Sequence, residues 1–265
     1  MIGGMRQVSV ALFQDQRGLM VPVLRPITNV MNATNPYLAS QRPAGILLLI
    51  AAPTALISFF LLPAAFGWDF DLLFDPYRAI AHAGADLTLY RWGWLLDIPG
   101  YYLLTLPSML VLRARMDGAS PMLRDAALFC GLGYLLIGTS GAAILASCTD
   151  LFTRHAAGTD AVRVAVTELH ASISRIVMDG LWNTIAMILF AAWALITGFH
   201  IRPWNNPVGI GLAIVGALAI SDVLGGLFHL EGLAMAGLYG YLFLFPAWCI
   251  LAGARLLRQG RDLAA

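Results

Sequence analysis

The sequence predicts an all-α polytopic membrane protein of six transmembrane helices with both termini cytoplasmic, and three observations carry that reading. Of its 265 residues 59% are hydrophobic and only 12% charged, with a mean hydropathy of +0.76, outside the range of soluble domains. Six segments satisfy the need for about 20 mostly apolar residues in a bilayer-crossing helix: Ala44 to Phe66, Arg91 to Leu112, Met122 to Ser147, Ser172 to Phe199, Pro207 to Phe228 and Gly232 to Leu257. The third observation is the arginines, which make up all 16 basic residues. Arg6, Arg17, Arg25 and Arg42 precede the first span, Arg113, Arg115 and Arg124 follow the second, Arg202 follows the fourth, and Arg255, Arg258 and Arg261 close the chain. Those segments are cytoplasmic under the positive-inside rule, and a bacterial inner membrane is the expected location.

Residues 1–43 form a cytoplasmic segment. Val8 to Phe13 is too short for a signal-peptide core and is cut off by Gln14, Asp15, Gln16 and Arg17, so the first span is expected to act as an uncleaved anchor. Pro22 and Pro26 oppose a continuous helix along the membrane surface there, and a loosely ordered tail is expected. Residues 44–258 form the bundle, and 259–265 a cytoplasmic tail.

Two outer connections are too long to be turns. Asp75 followed by Pro76 has the order of an N-cap and first helical residue, predicting an outer-surface helix over about 76–90. Thr159 or Asp160 can cap a second over 160–171, whose apolar residues from Val162 to Val177 recur at helical spacing. No Gly or Pro interrupts it before Gly180, so the fourth span is expected to project beyond the bilayer. Spans five and six carry small residues four apart, Ala213, Ala217, Ser221 and Gly225 against Gly232, Ala236 and Gly240, predicting a tight hairpin. GLGYLLIG, Gly131 to Gly138, likewise has helix-packing spacing rather than that of a nucleotide loop.

The chemistry concentrates in RWGWLLDIPGYYLLTLP, Arg91 to Pro107. Asp97 in hydrocarbon costs about 2.5–3.5 kcal/mol on insertion scales, and Pro99 two residues on deprives the Leu95 carbonyl of its helical donor. Helical rise sets Asp97, Asp179 and Asp222 roughly 9–10 Å below the outer boundary of their spans, predicting a polar pocket open to the outside. Arg175, Asp179 and Asn183 are four apart and share a face, and Ser140 of span three falls in the same outer half. The candidate ligand-binding set is therefore Asp97, Asp179, Asp222, Arg175, Asn183 and Ser140. The plainer alternative is polar bonding between helices, with Arg175 neutralising Asp179. His229 with Glu231 in a turn, and His170, are candidate metal ligands, although no HExxH occurs.

The run RWGWLLDIPGYYLLTLPSMLVLRARM followed by LRDAALFCGLGYLLIG resembles part of a bacterial six-span integral membrane protein family of unknown function. The resemblance covers spans two and three, rests on hydropathy order, the Arg opening span two and the carboxylate inside it, and implies the six-span architecture alone. The net charge of +1 gives no basic surface for nucleic acid. The expected function is binding of a small molecule, cation or proton in the outer pocket, for transport or sensing, with carboxylate protonation as the coupling event. The alternatives are a metal-dependent membrane-embedded lipid hydrolase and an accessory subunit meeting a membrane-protein partner. No cofactor is implied.

Overall fold

The computed structural model describes residues 10–14, 20–24 and 36–262. Six helices are long and apolar enough to cross a membrane: Gln41–Ala65, Leu87–Ala114, Pro121–Ala157, Asp160–Ile201, Asn206–Leu227 and Glu231–Gln259, here spans one to six. In the fourth the amphipathic helix Asp160–Arg175 runs without a break into the apolar part of the span. These helices fit a multi-pass membrane protein.

Two expectations need correction. Within the N-terminal segment Val10–Gln14 and Met20–Leu24 pair antiparallel as a two-stranded hairpin, Val10 opposite Leu24 and Gln14 opposite Met20. Both strands are edges, where Pro22 is tolerated. The helix predicted over 76–90 is two helices. Pro76–Ala81 starts as expected, Asp75 accepting hydrogen bonds from the backbone N–H of Tyr77 and Arg78. It stops at His82, and Asp86 then caps span two by accepting from Thr88 and Leu89 N–H.

Each span packs on its neighbours in sequence, and span six returns along span one, closing a ring. Glycines bring the backbones together where the ring closes. A Cβ on Gly45 would fall 2.8 Å from the Gly253 carbonyl oxygen, and one on Gly253 equally close to that of Gly45. Spans five and six do form the predicted hairpin, with Gly225 against the backbone of Ala234 and Gly240 against Leu218. Gly237 supplies a further approach, against the backbone of Asp222. Gly232 meets only open space, and Ala213 turns instead to Gly198 of span four. Gly131 and Gly138 of GLGYLLIG make room for Trp193 and Tyr102.

Aromatic rings fill the ring's centre. Phe245 stacks on Tyr241 at 5.6 Å and on Trp248 at 5.8 Å, and Phe190 meets Phe245 edge-on at 5.3 Å. One end of the bundle, called here the capped end, carries the short helices Asp71–Phe74, Pro76–Ala81 and Thr149–Ala157. The turn between spans five and six lies at the same end. It is held by Leu230 N–H donating to Gly225 O at 2.8 Å, with His229 in the left-handed region at φ 55°.

Candidate functional site

Two spans depart from α-helical geometry. In span two Pro99 cannot donate to the carbonyl one turn back, and the helix Leu87–Asp97 passes into a π-helical turn over Ile98–Tyr102 and a 3-10 turn over Leu103–Thr105. Gly100 lets this segment lie on span one, since a Cβ there would come within 2.6 Å of Ala55 N. In span four the π-helix Ile176–Ala186 carries Asp179, Trp182 and Asn183, and the Thr184 hydroxyl donates to the Asp179 carbonyl at 2.7 Å.

Both departures line one cavity. A chamber of about 100 Å³ between the spans is walled by Trp94, Asp97, Tyr101 and Tyr102 from span two and by Met178, Trp182, Asn183 and Ala186 from span four. Phe59 of span one, Tyr134 of span three and Tyr241 and Leu242 of span six add to the wall, and Leu73 and Phe74 of the capping helix also border it. A second cavity of about 330 Å³ shares Phe74, Met178 and Asn183 with the chamber. This vestibule is lined by Asp75, Tyr77, Ser174, Arg175 and Asp179.

Asp97 is 8% exposed. The Ser58 hydroxyl lies 3.1 Å from its Oδ1 and 2.9 Å from the Gly93 carbonyl oxygen. That hydroxyl has a single proton to divide between two acceptors. The Tyr102 side chain lines the same chamber. The Tyr134 hydroxyl reaches the Tyr101 carbonyl at 3.1 Å and also bonds the Tyr241 hydroxyl. Ser58 and the tyrosines were not legible as site residues, because facing positions on spans some 40 residues apart depend on how the helices are rotated about their axes. The only signal was that a Ser interrupts an apolar span one.

The predicted ligand set is partly brought together. Asp97 and Asn183 line the chamber, and Arg175, Asp179 and Asn183 the vestibule. Arg175 makes no ion pair with Asp179 among the described residues. Its guanidinium lies over the Tyr77 ring, 5.3 Å from the centroid. Asp222 is only 3% exposed, and it lines neither cavity. Among the described residues its Oδ2 has no partner, and its backbone is pressed against Gly237. Ser140 is exposed on span three, away from both cavities. Equal depth along three spans therefore does not mean a shared pocket, since depth fixes height and not the direction a helix face points.

The candidate metal ligands lie in two elements, His170 on span four and His229 with Glu231 where span five gives way to span six. His229 and Glu231 are exposed in the turn between spans five and six. His170 is 2% exposed, with Nδ1 3.1 Å from the Pro76 carbonyl oxygen and its ring edge-on to Phe152 at 5.1 Å. Among the described residues no three His, Cys, Asp or Glu side chains form a group able to hold a metal ion. Compared with family models, curated proteins and solved structures, the chain matches none.

Proposed function

We propose that this is an inner-membrane protein, both ends cytoplasmic, that binds a small molecule or cation in the chamber, reached from the outer side through the vestibule, for transport or sensing. The observation that carries the reading is that the non-α segments of spans two and four both line the chamber that Asp97 lines. π-Helical turns within α-helices are frequent at functional sites, and acidic groups inside membranes mark binding sites and pathways. Glue between helices would be expected to engage Asp97 with groups that satisfy it, whereas its Ser58 donor is divided with Gly93.

The test is a thermal-shift screen of the detergent-solubilised protein against small polar and cationic compounds. Compounds that stabilise the parent should lose their effect in Ala186→Phe, which fills the chamber, and in Asp97→Asn. They should keep it in Asp222→Asn, whose side chain lines neither cavity. Stabilisation that survives Ala186→Phe would move the site elsewhere.

A further inference from the structure

The chamber's lining specifies a charge and a shape. Among the described residues Asp97 is the only charged side chain on its wall, and neither Arg nor His lines it. The Ser58 hydroxyl that reaches the carboxyl is neutral, and so are the tyrosine hydroxyls of the lining. A buried carboxylate is costly without a counter-charge, and the protein supplies none here.

The rest of the wall is aromatic and aliphatic. Trp94 sits one turn before Asp97 on the same helix, and its ring packs against that of Trp182 at 5.4 Å, tilted at 53°, so that the two indoles form one wall of the chamber. Tyr101, Tyr102 and Phe59 add further rings. Aromatic faces attract cations, most strongly those that have shed water, and cages of this kind recognise quaternary ammonium groups.

An inorganic cation fits less well. Calcium and magnesium demand about six or more oxygen ligands, whereas the chamber offers one carboxyl, the Asn183 amide and a few tyrosine hydroxyls, several of them already bonded to one another or to backbone. At about 100 Å³ the chamber is of the same order as the roughly 150 Å³ apolar cavity that takes up benzene, so the guest is small.

Resting on the reading of the chamber as a ligand site, we propose that its ligand is a small alkylated ammonium. The cationic head pairs with Asp97 against the wall of Trp94 and Trp182, and the alkyl groups occupy the space bounded by Phe59, Met178 and Leu242.

The test compares choline with its uncharged carbon isostere, in which a quaternary carbon replaces the ammonium nitrogen, by calorimetry and by quenching of tryptophan fluorescence on the intact solubilised protein. Choline should bind at least about tenfold more tightly than the isostere, as expected for a desolvated cation–π and ion-pair site. Asp97→Asn should remove that difference, and Trp182→Leu should reduce it. The comparison of two ligands on the unaltered protein stands even if a variant fails to fold. Equal binding of the two probes overturns the cation inference and leaves the chamber a ligand site. Binding of neither overturns it as well. The chamber reading itself falls only if the screen also yields no ligand sensitive to Ala186→Phe.

Discussion

At the scale of single residues, the structure separates side chains that serve packing from those that face the chamber. Gly100 belongs to the first kind, since a Cβ there would lie 2.6 Å from Ala55 N and 2.7 Å from its Cα, neither of which can move aside. Gly100→Ala should therefore destabilise the protein by about 1–3 kcal/mol, read as a lower midpoint of thermal unfolding in detergent. Gly226→Ala meets nothing within 4 Å and should be neutral or slightly stabilising. His229, a candidate metal ligand by sequence, has instead a backbone role, holding the left-handed position of the turn after span five at φ 55°. Such a conformation costs a non-glycine residue about 1–2 kcal/mol. His229→Gly should raise stability by about 1 kcal/mol and leave ligand shifts unchanged. Asp97 was legible because a carboxylate and a proline two residues apart in an apolar run stand out on any reading. Asp222 was legible as buried and misread as lining, because nothing in span five's sequence tells which face meets span six.

At the scale of elements, the six spans could be read from length and hydropathy alone, since a bilayer sets both. The interruption at His82–Asp86 was missed because Asp86 was read as part of a continuing helix. Its carboxylate instead takes the two free N–H groups at the start of span two. The π-helix Ile176–Ala186 gave no sequence signal beyond Gly180. The short helices over the chamber are tied to span four by polar contacts. The Pro76 carbonyl meets His170, the Tyr77 hydroxyl donates to Glu168 at 3.3 Å, and the Tyr77 ring receives Arg175. Tyr77→Ala removes two of these three. With an exposed cation–π contact contributing about 0.5–1 kcal/mol and a hydrogen bond about as much, amide exchange over Pro76–Ala81 should quicken by roughly tenfold. Unchanged exchange there would mean that the apolar contacts of Leu72, Ala79 and Ile80, all buried, hold the cap alone.

For the whole molecule, ring closure is what creates the chamber, and it was the least legible feature. Gly45 and Gly253 meet from opposite ends of the chain, and each alone reads as one more small residue in an apolar span. The resulting bundle also fixes which end of the chamber faces which compartment once orientation is known. Arg113, Arg115, Arg124, Arg202, Arg255 and Arg258 gather at the end away from the caps, while the capped end carries Asp69, Asp71, Asp75, Asp86, Asp150, Asp160 and Glu168 beside fewer arginines. Short arginine-rich connections are retained in the cytoplasm, so the caps and vestibule should face outward. The three native cysteines provide a quiet background, with Cys148 and Cys249 buried and Cys130 partly so. In intact spheroplasts a membrane-impermeant maleimide should label Thr159→Cys at the capped end and spare Ser120→Cys at the other, with Ser120→Cys reacting only after lysis. The reverse pattern would invert the bundle and turn the vestibule toward the cytoplasm, and any ligand of the chamber would then be drawn from the cell interior.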